Sequence, residues 1–123
     1  MTKEHRNMMM DIRAGSCSNL PYENESMDIV MTCMAFHHFD DRQAFLSEAK
    51  RVLKPTGKLY ICDPRFPWII RRGFDLISLI HRINAKFFSN RGLIEYVEKS
   101  GLSLCMNYKD LYVQTVVFDG GNL

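Results

Sequence analysis

Residues 28–39, which run Asp-Ile-Val-Met-Thr-Cys-Met-Ala-Phe-His-His-Phe, constrain the fold of this chain more than any other stretch. A polar turn at Glu23, Asn24, Glu25 and Ser26 leads into an apolar run with almost no alternation, the pattern of a strand buried on both faces of a parallel sheet. The run stops at His37 and His38, and a helical pattern begins at once with Asp40 and Asp41. Thr32, Cys33 and His38 therefore fall where a strand hands over to a helix. In open α/β sheets that carboxyl end borders the ligand cleft.

The flanking segments extend the pattern. Asp40 or Asp41 is suited to cap a helix in which Phe45, Ala49, Val52 and Leu53 share one face, and Lys54, Pro55, Thr56 and Gly57 end it. Residues 59–62 read as a second buried strand that closes on Asp63 and Pro64. Two strands around one helix of this length make a parallel, right-handed crossover. Upstream, residues 8–14 read as a short strand ending at Gly15, and 16–21 as a loop. Downstream, Ile69, Gly73, Leu76, Ile80, Ile83 and Phe87 form the stripe of a long helix, widened by Ile70, Phe74 and Ile77. Arg71, Arg72, His81, Arg82 and Lys86 lie mostly off that stripe, so the helix has a wide apolar face with a basic flank, suited to packing on a core or on a neighbour. Ser89 or Asn90 caps a further helix with Leu93, Ile94 and Val97 inward, closed by Ser100 and Gly101. Residues 102–106 and 111–118 form an antiparallel hairpin joined through 107–110.

Length limits this to one domain over residues 1–123. With 46% hydrophobic and 24% charged residues it is a cored globular chain, and a net charge of +2 gives no reason to expect a nucleic-acid partner. Cys17, Cys33, Cys62 and Cys105 are widely spaced without a Cys-x-x-Cys pair, which predicts reduced, buried thiols in a cytoplasmic protein. No stretch approaches an uncharged membrane span, so a soluble chain is expected.

Four segments in order carry a resemblance: Gly15-Ser16-Cys17; Leu20-Pro21-Tyr22-Glu23 running to Met27-Asp28-Ile29-Val30; His37-His38-Phe39; and Arg51-Val52-Leu53-Lys54-Pro55-Thr56-Gly57-Lys58-Leu59. Together they resemble the class I S-adenosylmethionine-dependent methyltransferases of the small-molecule type. The resemblance implies an α/β fold, a partial Rossmann-like methyltransferase sheet of parallel strands with a C-terminal antiparallel hairpin. It also implies methyl transfer from S-adenosylmethionine to a small molecule. The family begins with a strand and a glycine-rich loop that carries the methionine end of the cofactor, then a second strand ending in an acid for the ribose. Neither is found in these 123 residues, which read as the family's C-terminal portion, truncated before the third strand. Ser16 stands where the family often has an aspartate at the adenine, and Thr56 stands in place of a turn glycine.

By that resemblance Ser16 and Cys17 border the adenine, and Cys33, Met34 and His38 border the methionine part of S-adenosylmethionine, in an incomplete site. Read as plain packing, Cys33 and Met34 are core residues at a strand end; His38 is the stronger ligand candidate by position. His37, His38, Asp40 and Asp41 are too close along the chain to converge on a metal. His37 or His38 is an alternative as general base, but alignment of nucleophile, methyl carbon and sulfur suffices for many such transfers, so no catalytic residue is assigned. The competing reading is a non-catalytic methyltransferase-like assembly or interaction module. A membrane-surface role for residues 68–88 is weaker, since the apolar face is needed for folding. Without a first strand beside it, the central strand presents an open edge, and no proline, lysine or glycine blunts it between Ile29 and Ala35. A homodimer across that edge or across the 68–88 helix is the expected result.

Overall fold

The computed structural model describes residues 9–66, 68–81 and 87–120. Strand β1 (Met27–Cys33) is followed by a 3-10 turn (Phe36–His38), helix α1 (Arg42–Val52), strand β2 (Leu53–Pro64), helices α2 (Trp68–His81) and α3 (Asn90–Glu98), and strands β3 (Ser103–Lys109) and β4 (Val113–Asp119). These strands form one sheet in the order β1-β2-β4-β3. β1 runs parallel to β2, as the crossover through α1 requires, while β4 lies antiparallel to both β2 and β3.

Both capping expectations resolve to one residue each. Asp41 accepts from the Ala44 amide at 2.9 Å and Ser89 from the Gly92 amide at 3.0 Å, so each satisfies an orphan donor of a first helical turn. Gly101 takes φ +90° past the end of α3, a conformation glycine adopts without a side-chain clash. Gly57 is needed for a different reason. A Cβ there would stand 3.0 Å from the Asp28 carbonyl and 2.9 Å from Leu53 Cδ2, where the backbones of β1 and β2 approach closely. The segment at 54–57 therefore lies inside β2, which starts at Leu53 directly after α1, and the register between β1 and β2 shifts between Met27 and Ile29 to absorb it.

Helices α1 and α3 cover one face of the sheet. Phe45, Leu46 and Ala49 from α1 and Leu93 and Val97 from α3 meet Leu59 and Ile61 of β2 and Val116 and Phe118 of β4 in a single core. Phe36 sits at its centre, fully buried, with ring centroids of Phe39, Phe45, Phe88 and Tyr96 between 5.9 and 6.3 Å away. Burial of such a ring contributes about 1.5–3 kcal/mol.

Four expectations are corrected. The central strand is not buried on both faces: Ile29, Met31 and Cys33 are exposed, because α1 and α3 pack on the other face. Residues 9–14 form no strand; the first bridge pairs Ser16 with Asn19 inside a tight turn. The thiols are not all buried, for Cys33 and Cys105 are exposed and Cys17 and Cys62 half-buried. The wide apolar face of α2 is not packed on this core, since Ile69, Ile70, Leu76, Ile77 and Leu79 are exposed. The expected extension of that helix through Ile83 lies outside the described residues.

Arg51 anchors the loop that enters β1. Its guanidinium donates to the carbonyls of Tyr22 (2.8 Å) and Leu20 (3.0 Å), to Asn24 Oδ1 (2.8 Å), and to the Glu48 carboxylate beside it. Only a planar fork reaches acceptors in so many directions. Arg51→Ala is expected to cost about 2–3 kcal/mol in urea unfolding, with Arg51→Lys recovering less than half, since a lysine cannot bridge these carbonyls. A cost below about 0.5 kcal/mol, the usual value for an exposed pair, would show that the anchor is idle.

Candidate functional site

The carboxyl ends of β1 and β2 lie side by side, and the 3-10 turn between them distributes three consecutive side chains to three environments. Phe36 enters the core, His37 is buried, and His38 is exposed. Met34 adopts φ +56° just before this turn and donates its amide to the Cys62 carbonyl at 2.7 Å, which pins the end of β1 to β2.

His37 Nδ1 lies 3.1 Å from Asp63 Oδ1, with both side chains almost fully buried. The Arg42 guanidinium donates to the His37 carbonyl at 2.6 Å, and the His37 ring stacks on Phe87 at a centroid distance of 4.8 Å. Burial pushes the Asp63 carboxyl above its ordinary value, and the His37 ring with the amides of His37 and Phe36 works against that rise. Next to it in register stands Gln114, buried, which donates to the carbonyls of Pro64 (3.3 Å) and Phe88 (3.0 Å) and accepts from Asn90 Nδ2 (3.1 Å). Asn90 and Asn107 exchange a second pair of hydrogen bonds at 2.8 and 2.9 Å. A polar band thus crosses under the strand ends from the 3-10 turn to the hairpin, satisfied almost throughout. Thr32 Oγ1 and Arg42 Nε are buried atoms without a hydrogen-bond partner among the described residues.

Of the residues read from sequence, Cys33, Met34 and His38 are together at the end of β1 and exposed. Ser16 bonds within its own turn, to Ser18 Oγ at 2.8 Å, while Cys17 packs half-buried against the core. The His37–Asp63 contact and the Asn90–Asn107–Gln114 cluster escape a sequence reading because their members are 26 and 17 to 24 positions apart. Asp63 alone left a trace, as an acid closing an apolar strand. A half-open cavity of about 490 Å³, lined by Arg13, Leu20, Tyr22, Met27 and Ile29 among others, lies at the start of β1 and not at its carboxyl end.

The methyltransferase domain family matches residues 1–61. The chain is 44% identical over 64 residues to an uncharacterised methyltransferase-like protein of Schizosaccharomyces pombe, a match covering 49% of this chain and 25% of that protein. It is 38% identical over 63 residues to the phthiotriol/phenolphthiotriol dimycocerosates methyltransferase of Mycobacterium tuberculosis, covering 51% and 23% respectively. The matched segment thus spans about a quarter of the length of these curated relatives. Among solved structures, a methyltransferase of Thermotoga maritima described as a possible histamine N-methyltransferase superposes with a TM-score of 0.69 at 22% identity, over 86% of this chain and 62% of that one. That likeness is one of fold.

The Asp63 site generates a pH-dependent expectation. Because burial raises its folded value above the reference of 3.8, the native chain holds that proton more tightly than the unfolded chain does. The associated stability is present below 3.8 and is lost as pH rises through the folded value. Glu48, lowered chiefly by its hydrogen bond from Arg51, and Asp110, lowered chiefly by the Val113 amide, act in the opposite sense and are common to any variant at 63. The difference in unfolding free energy, wild type minus Asp63→Asn, should therefore fall as pH rises above about 4. A flat difference from acid to neutral pH would count against an elevated Asp63.

Proposed function

The chain belongs to the class I S-adenosylmethionine-dependent methyltransferases, and from that premise we propose that it takes part in methyl transfer from S-adenosylmethionine to a small molecule. One observation carries the site assignment: Cys33, Met34 and His38 emerge exposed at the carboxyl end of β1, the edge at which α/β sheets bind ligands. Ser16 and Cys17 are proposed for the adenine side. The name of the mycobacterial relative, a phthiotriol and phenolphthiotriol dimycocerosates methyltransferase, supports a small-molecule acceptor in place of a macromolecule.

The residues present fit one wall of a cofactor site and not the whole of it. The sequence contains no Gly-x-Gly, so no loop of that kind brings backbone amides against a carboxylate or ribose. Asp63, the acid at the end of β2, is turned to His37 and buried there. Cys33, Met34 and His38 are assigned contact and shape, while His37 and Asp63 hold the turn that presents His38. The second reading, a non-catalytic methyltransferase-like interaction module, is favoured by that same incomplete donor set.

The open edge of β1 supports a proposal about assembly. Among the described residues β1 pairs only with β2, and Ile29 and Met31 are exposed beside the free edge. We propose a homodimer burying more than roughly 1,000 Å² in total. Sedimentation at micromolar concentration should show it, and a clean monomer would discount it.

Calorimetry of the 123-residue chain with S-adenosylmethionine is expected to give no saturable heat in the micromolar range. Several absent hydrogen bonds, each contributing about 1.5–3 kcal/mol when charge-assisted, remove orders of magnitude in affinity. Saturable micromolar binding that His38→Ala weakens would instead establish a working site in this chain and displace the interaction-module reading.

A further inference from the structure

Cys33 and Cys62 are direct cross-strand partners at the end of the parallel pair β1 and β2. In-register residues on adjacent strands project from the same face, and the strand spacing of about 4.8 Å falls within the Cα separations that a disulfide spans. That face is the one α1 and α3 leave uncovered. Cys33 is exposed and Cys62 half-buried beneath it, so reagent reaches the first thiol while the second stands adjacent. The amide of Met34 holds this spot from the following residue by its 2.7 Å bond to the Cys62 carbonyl, which keeps the ends of the two strands side by side.

We propose that Cys33 and Cys62 form a redox-responsive dithiol site that closes to a disulfide on exchange with a small-molecule disulfide such as oxidised glutathione. The Cys33 thiolate attacks one glutathione sulfur, forming a mixed disulfide and releasing one glutathione thiolate. The Cys62 thiolate then attacks the Cys33 sulfur, forming the Cys33–Cys62 bond and releasing the second. Two protein thiols are oxidised, one glutathione disulfide is reduced, and the two protons end on the glutathione thiols. The effect of the bridge is to staple β1, paired on one side only among the described residues, to the centre of the sheet. The adjacent Cys62 thiol holds the Cys33 thiol above its usual value, so exchange should quicken as pH rises above neutrality. The chemistry is independent of the cofactor reading, since a Cys33–Cys62 bond forms whether or not S-adenosylmethionine binds.

The test uses the full chain treated with oxidised glutathione, followed by intact mass and a non-reducing digest. The expected product has lost two hydrogens, yields a peptide linking Cys33 to Cys62, and melts about 5 °C or more higher than the reduced chain, reversibly with dithiothreitol. Cys62→Ser should instead stop at a stable glutathione adduct on Cys33. A chain that keeps both thiols free, that accumulates the Cys33 adduct with Cys62 intact, or whose linked peptide involves Cys17 or Cys105 would overturn the proposal.

Discussion

The pairing of β2 on both of its edges is the constraint on which the rest of the structure depends. It receives β1 in parallel and β4 in antiparallel sense, so it is the one strand through which the N-terminal and C-terminal halves of the sequence are joined. Leu59 and Ile61, fully buried, stand in register with Val30 and Thr32 on one side and with Phe118 and Val116 on the other. Those rows are the floor on which α1 and α3 pack. Gly57 is part of the same constraint, since the turn from α1 into β2 brings backbone where a side chain would stand.

The end of that strand is where the chain turns from packing to chemistry. Asp63 and Gln114 continue the same register into polar residues, and each is matched by a partner from a different element: His37 from the turn after β1, Asn90 from the start of α3. Burying these groups is tolerable because each finds hydrogen bonds; left alone, each would cost about 1–3 kcal/mol. The cluster thereby ties the 3-10 turn, α3 and the hairpin to the end of β2, and it fixes the direction in which His38 is presented. A rigid support thus stands behind the exposed end of β1.

The other face of the sheet has a different character. Ile29, Met31 and Cys33 alternate with residues turned to the core, and all three are exposed. Ile69, Ile70, Leu76, Ile77 and Leu79 of α2 are exposed as well. The Cys33–Cys62 pair lies on the uncovered face of the sheet, at the carboxyl ends of β1 and β2.

The sequence by itself determined the local elements and the family. Asp41 and Ser89 cap where a short polar acceptor precedes apolar periodicity, Gly101 ends α3, and the apolar runs that became β1 and β2 are joined by one helix and therefore lie parallel. Those signals are legible because they depend on neighbours within a few positions along the chain. Tertiary structure decided what depends on distant partners. The run at 28–35 looks buried on both faces, yet burial is settled by which helices cover which face, and both covering helices fall on one. Position along the chain favours His38 over His37 as the outward one, but the physical reason is tertiary: Asp63, 26 positions away, draws His37 inward and leaves His38 to the surface. Residues 9–14 look like a strand, but an extended segment becomes one only where a sheet edge accepts its hydrogen bonds, and pairing between distant segments is not written in either of them.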